Sequence, residues 1–451
     1  MVNNARNHFL AWRLPLLVAL VTAGAVLSWR FVRQDNPVKP DSNLAESFFP
    51  VNFVRMGATT DQTIQALQTH LKESPNDWAS YSQLGLSYMQ KARETGDPSY
   101  YPKAEQTFSK TLANNPGDYS AVGGMGALKL AQHQFESALV WGERARNLNP
   151  NSVYGYGVSA DAHIELGQYP EAVQTLQAMV NLRPDMSSYS RISYIRELYG
   201  NLDQAVESMQ MASESGEPKQ ENTAWTRTQL GNLYFNMGNL QKAEEQYQYT
   251  LQGYPKYIYA LAGLGHIRAA QGNYSQAIVY LTQASQKIPI PDIIIALGDV
   301  YQASGQSDAA RQQYNLVHVI QKLYEANGVD LDLEVALFNA DQGYDPSATI
   351  AQARQAYTHR PSIYGADVMA WALYQAGQYP EAKKYSELAL RLGTKDALKL
   401  FHAGMISLKL GDSDKARQYL QQALAVNPNF SLRYSVPARQ ALAGLNPPPV
   451  K

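Results

Sequence analysis

The sequence predicts an all-α solenoid of about ten helical hairpins. Two observations predict it. Pro75, Pro116, Pro150, Pro184, Pro255, Pro289, Pro361 and Pro428 punctuate the chain, and the steps 116→150, 150→184 and 255→289 are each 34 residues. Between the prolines, small and large residues return in one register. The stretch Leu230-Gly231-Asn232-Leu233-Tyr234 is followed by Gly238, Ala243, Tyr247 and Pro255. Further units carry Leu264-Gly265, Gly272, Ala277 and Leu281; Leu297-Gly298, Tyr301, Gly305, Ala310 and Tyr314; and Gly404, Gly411, Ala416, Leu420 and Pro428. Upstream, Gly126, Ala138, Ala145 and Pro150 fit, as do Gly167, Ala172 and Pro184.

Each position has a physical reason. The first Gly and the Ala let the two helices of a hairpin cross closely. The second Gly ends the first helix, because a left-handed residue is cheapest as Gly. The large apolar residues recur at helical spacing and fill the space between hairpins. Proline stands past the second helix, where it cannot continue it.

The elements before the array differ from it. No acidic residue precedes Asp35. The apolar run Leu14–Trp29 is flanked by Arg6, Arg13, Arg30 and Arg33, with Trp12 and Trp29 at its ends. Such a run predicts a membrane anchor within residues 1–33, its arginines snorkelling to the interfaces. A cleaved signal peptide ending near Ala23-Gly24-Ala25 is the alternative. With the N-terminus in the cytoplasm, the repeats stand on the extracytoplasmic side, in periplasm or envelope. Residues 34–57, with Pro37, Pro40 and Pro50, read as a linker.

The solenoid is expected over residues 58–446. Thr60–Pro75 reads as a lone second helix, an N-terminal half-repeat. The step from Pro75 to Pro116 is 41 residues, and the extra seven fall within KARETGDPSYYP, between helices expected at Tyr81–Tyr88 and Ala104–Leu112. A long helix runs from Asp308 towards Asn327. Residues 329–361 keep Gly343 and Pro346 but lack the Leu-Gly pair. Pro437–Leu445 reads as a capping helix over the last apolar face.

The pattern resembles the tetratricopeptide repeat family across roughly residues 58–446. That resemblance implies paired antiparallel helices in a right-handed superhelix with a concave inner surface. The segments SYIRELYGNLDQAVESM, ALFNADQG and LGTKDALKLFHAGMISLKLGD also resemble a subfamily of large bacterial repeat proteins, whose biochemical role the resemblance leaves unassigned.

Composition and motifs argue against catalysis. There are 38 Lys+Arg and 39 Asp+Glu, a net charge of −1, which argues against a nucleic-acid partner. Cysteine is absent, which removes disulfides, thiolate metal sites and a cysteine nucleophile. The eight histidines are scattered, with no i, i+4 pair for a metal, and no cofactor fingerprint occurs. Gly123-Gly124-Met125-Gly126 reads as close helix packing. Asp330, Asp332, Glu334, Asp341 and Asp345 read as caps and solvated turn residues, since no Glu closes a calcium loop.

Binding is expected on the face the first helices turn inward. By register, the candidate partner-binding residues are Trp225, Asn232, Phe235, Asn236, Tyr259, His266, Asp299 and Gln302. Trp371, Tyr374, Phe401, His402, Tyr154, Asp161 and Tyr194 occupy similar places. Aromatic rings interleaved with amide and imidazole groups suit an extended protein or peptide segment. The resemblance also implies a known carboxylate clamp, but Thr228 stands where its Lys belongs and Asn232 alone matches. The expected role is a membrane-tethered, non-catalytic scaffold. The alternatives are an envelope- or carbohydrate-associated accessory protein and a regulatory subunit of a separate enzyme.

Overall fold

The computed structural model describes residues 58–217 and 219–445. The expected anchor and linker lie outside the described residues. Among these residues the chain is all helix, with no strand. Helix α1 (Thr60–Glu73) stands alone. Ten antiparallel hairpins follow, of which the first five are α2 (Trp78–Thr95) with α3 (Tyr100–Asn114), α4 (Tyr119–Ala131) with α5 (Phe135–Leu148), α6 (Val153–Glu165) with α7 (Tyr169–Leu182), α8 (Met186–Leu198) with α9 (Leu202–Glu214), and α10 (Glu221–Asn236) with α11 (Leu240–Gly253). The next five are α12 (Ile258–Ala270) with α13 (Tyr274–Lys287), α14 (Pro291–Ala303) with α15 (Ser307–Glu325), α16 (Asp332–Gln342) with α17 (Pro346–His359), α18 (Ile363–Gln375) with α19 (Tyr379–Ala389), and α20 (Ala397–Lys409) with α21 (Ser413–Val426). Helix α22 (Ser435–Leu445) closes the array.

The proline register is strict. Each of the eight prolines lies two residues beyond the last residue of a second helix, or of α1. Three second helices lack one: α9, α15 and α19. These account for the long steps 184→255, 289→361 and 361→428. Asn239, Asn273 and Asp412 cap second helices, each side chain accepting from the backbone N–H three residues on.

The Gly of the first helix is a seat for the large residue of the second. A Cβ at Gly231 would stand 2.5 Å from the Tyr247 ring, and one at Gly298 2.5 Å from Tyr314. The same holds for Gly124 against Phe108. Ala243, Ala277, Ala310 and Ala416 are wholly buried at the same crossings.

The hairpins do not leave an open coil. The turn inside an early hairpin rests on the linker after a second helix about one superhelical turn later. Gly96, in the first hairpin, meets Ile288. In the second, Gln132 O accepts from Asp330 N at 3.1 Å, and His133 Nδ1 contacts Asp330 O at 2.6 Å. In the third, Tyr169 Oη accepts from Ile363 N at 2.8 Å. In the fourth, Gly200 meets the Gly393 carbonyl. In the fifth, Asn427 Nδ2 donates to Phe235 O at 2.8 Å. The rule is uniform: the turn of hairpin n meets the linker after hairpin n+5.

The irregular stretches of sequence serve this seam. The extra residues before Pro116 lengthen α2, carrying Arg93 to Glu221 at 2.9 Å and Gly96 to Ile288. The long α15 brings Tyr324 Oη to donate to Gly96 O at 2.9 Å. The acidic stretch after it is no solvated turn. Asp330 bonds across the seam through its backbone, and Glu334 is buried against Arg360.

Turn glycines divide accordingly. Gly167, Gly200, Gly305 and Gly377 all have positive φ. A Cβ at Gly167 or Gly200 would lie 2.4 or 2.5 Å from an opposing carbonyl oxygen, whereas one at Gly305 or Gly377 would meet nothing within 4 Å. Gly305→Ala is therefore predicted to lose about 1–2 kcal/mol, the left-handed backbone cost. Gly200→Ala loses that plus about 1–3 kcal/mol of overpacking. Urea midpoints compare them, and equal losses would show that the seam is not load-carrying in solution.

Candidate functional site

The expected inward residues fall into two groups. Trp225, Tyr259, His266 and Asp299 are 5%, 8%, 4% and 1% exposed. Asn232, Phe235, Asn236 and Gln302 are partly exposed. The reason for the difference from an open groove is the seam, which draws successive turns together. Helices α12 and α18 are buried on nearly every side.

Two polar members of the set have structural work. Asn232 Oδ1 accepts from Tyr247 Oη at 2.7 Å, and Asp299 Oδ1 accepts from Tyr314 Oη at 2.6 Å. Each pair is 15 residues apart, in equivalent repeats. Burial pushes both tyrosine hydroxyls far above their ordinary range, so each must donate to a neighbour. Asn236 Nδ2 donates to Glu197 at 3.3 Å. Tyr259 packs edge-on against Tyr257, whose hydroxyl donates to Glu221 at 3.0 Å. Trp371, Phe401 and His402 belong to the C-terminal core. Trp371 stacks between Tyr374 and His402, and its Nε1 donates to Asp341 at 2.8 Å.

Charge inside the coil is concentrated on few residues. Arg360 is buried between Glu165, to which Nε donates, and Glu334, whose carboxylate lies 3.1 Å from Nη1. Burial works to lower the Arg360 pKa, but the two carboxylates outweigh it and raise it. Asp161 holds Arg191 through two bonds of 2.9 and 2.7 Å, both residues almost fully buried. Burial pushes Asp161 up to about 6 against the pull of the arginine. Burial, with the like charge of Glu334, pushes Asp292 up to about 7. These groups hold turns and hairpins together. The crevice beside His133, Glu334 and Arg360 is about 10 Å³, barely room for one water.

One larger opening remains. A cleft of about 180 Å³ lies between the ends of α10, α12 and the start of α13 on one side, and residues 429–439 on the other. It brings together Phe235 and His266, whose rings are 6.1 Å apart, and leaves the other expected residues elsewhere. Sequence reasoning missed its second wall, which comes from the C-terminal segment. Asn427 and Pro428, at the last proline mark, were the available signal. Burial lowers His266 to about 3, so its imidazole is neutral at physiological pH. Arg439 brings the positive charge, held by donation from Nη1 to Pro428 O at 2.8 Å.

Geometry thus defines an all-α repeat solenoid with a closed seam and one open cleft. Comparison with known proteins agrees on the repeat. Family models described as tetratricopeptide repeat match residues 228–289 and 397–430, so these stretches of α10–α13 and α20–α21 are similar to that repeat. Cellulose synthase operon protein C of Komagataeibacter xylinus is 24% identical over 355 residues, covering 70% of this chain. The match takes in 24% of the length of that protein, so this chain spans about a quarter of it. TPR repeat-containing protein YpiA of Bacillus subtilis is 23% identical over 282 residues, covering 60% of this chain and 63% of that one. Among solved structures, the APC/C hetero-tetramer Cut9–Hcn1 is 16% identical, covering 86% of this chain and 73% of that chain, with a TM-score of 0.47.

Two predictions follow from the buried charges. Arg360→Ala strands two buried carboxylates and is predicted to cost about 3–5 kcal/mol. Arg360→Met combined with Glu165→Gln and Glu334→Gln recovers most of that loss, as read by urea unfolding. For Asp292, the folded pKa lies above the ordinary 3.8. Its favourable contribution is full below pH 3.8 and is lost as pH rises through about 7. Asp292→Asn therefore raises the thermal midpoint at pH 8 and leaves it nearly unchanged at pH 4. A gain of equal size at both pH values would contradict this.

Proposed function

We propose that this chain is a non-catalytic scaffold that assembles protein partners, tethered to a membrane through residues 14–29 with its repeats on the extracytoplasmic side. The observation that carries the reading is the repeat array, two stretches of which match tetratricopeptide repeat models. Such arrays present a long, rigid surface to other proteins. The buried charges support it: Arg360, Glu165, Glu334, Asp161 and Arg191 are committed to one another inside the coil. Among the described residues, no helix is long and apolar enough to cross a membrane. The tether therefore rests on the sequence of residues 14–29 alone.

A second reading has its own support. The similarity to Cellulose synthase operon protein C favours a part in the envelope or in carbohydrate assembly. The two readings meet if the partners are envelope proteins.

Photo-crosslinkers placed at Asn236 and Gln302, both partly exposed, test the scaffold in native membranes. Reproducible protein adducts are expected. Adducts of polysaccharide alone would replace the scaffold with the second reading. Deleting residues 14–29 is expected to release the chain from carbonate-washed membranes. A reporter fused after Lys451 reads orientation, and activity confined to the cytoplasm would overturn the placement outside.

A further inference from the structure

The seam runs out at the sixth hairpin. The turns of the first five are each covered by a peptide linker from later in the chain. Ile288, Pro361 and Pro428 lie against Gly96, Gly167 and Gly238. Each linker brings backbone together with an apolar side chain. The equivalent turn of the sixth hairpin is at Gly272. A Cβ there would meet nothing within 4 Å. Residues 429–439 cover this place only in part, and the uncovered part is the 180 Å³ cleft.

We propose that this cleft binds an extended segment of a partner protein, one carrying an aromatic side chain with a carboxylate one residue away. The inference rests on the scaffold reading and names the site and the chemistry it would use. Size argues for a single ring. Drug-sized ligands take pockets of about 300 Å³ or more, while a cavity of about 150 Å³ holds benzene. The walls argue for an aromatic ring: Phe235, Tyr274 and Phe430 line the cleft, and His266 beside them is neutral.

Charge argues for the carboxylate. Arg439 lines the cleft, and among the described residues no acidic side chain does. One of its five N–H donors goes to Pro428 O, which fixes the guanidinium and leaves others for a planar anion. The walls are rigid on both sides. Asn427 pins the C-terminal segment to α10, and Ser431 N donates to Ser435 Oγ at 3.0 Å across the start of α22. The cleft is therefore largely pre-formed, which limits the ordering cost of binding.

The test is fluorescence anisotropy on the full chain with labelled peptides built on Gly-Phe-Glu-Gly. Replacing Phe by Ala, or Glu by Lys, is expected to weaken binding at least tenfold. Val436→Trp, at the exposed rim, is expected to do the same by filling the mouth. Arg439→Glu should weaken the Phe-Glu peptide tenfold and improve the Phe-Lys peptide, a rescue that misfolding cannot produce. Equal binding of the Phe and Ala peptides, or indifference to Arg439→Glu, would overturn the inference. So would binding that emerges only with Phe48→Ala and Phe49→Ala, because the chain's own Glu46–Phe49 segment would then hold the cleft. Protein adducts at Asn236 and Gln302 without peptide binding would remove this site and leave the scaffold standing. Loss of both would remove the scaffold.

Discussion

A tetratricopeptide-like hairpin has two apolar faces to cover, and in most of the chain its neighbours cover them. Here the third dimension is used as well. The turn of each of the first five hairpins sits on a linker 190 to 197 residues further on, as at Gly238 with Pro428 and His133 with Asp330. This contact dictates much else. It requires glycine at Gly167 and Gly200 for approach as well as for backbone angle. It draws the inner face of α12 and α18 into the core. It leaves the sixth turn as the first one without a full cover.

The seam also changes the energetics expected of a repeat array. A solenoid held by nearest neighbours is close to a one-dimensional sum of repeat and interface terms. Contacts between hairpins n and n+5 add long loop closures, which slow folding and couple distant repeats. The charges follow the same geometry. Arg360 lies beside the third linker contact and reaches Glu165 across the seam and Glu334 along the chain. Such a cluster adds little net stability compared with apolar packing, but it penalises any misalignment that would strand a carboxylate. Register between turns is thus set by polar groups, and cohesion by the apolar cluster that joins Ile164 and Tyr169 to Phe338 and Trp371.

Local chemistry was legible and non-local chemistry was not. The prolines marked the ends of second helices because φ restriction and a missing N–H act within one turn. Gly231 and Gly298 marked helix crossings for the same local reason. The seam joins residues nearly 200 apart, and no period in the chain announces it. Its traces were the irregularities: the longer α2, the longer α15, and His133 with a positive φ where neighbouring turns have glycine. At the candidate site, Asn232 and Asp299 looked like groove residues because they are polar on an inward face. Their partners, Tyr247 and Tyr314, were visible 15 residues later, but nothing in the sequence says that those hydroxyls are buried. Phe235 and His266 do meet in one cleft, whose other wall depends on the seam and so lay beyond sequence reading.

The closed seam is the claim on which the rest stands, and the cysteine-free chain allows a clean test of it. Gln134 donates to Gly328 O at 3.1 Å, so Gln134 and Asn327 stand on facing sides of the seam. The full chain carrying Gln134→Cys and Asn327→Cys would be treated with a short bis-maleimide. The account predicts fast, near-complete intramolecular crosslinking, read as one crosslinked peptide between the two positions. Two singly modified cysteines with no crosslink would show that the turns stand apart and would contradict it.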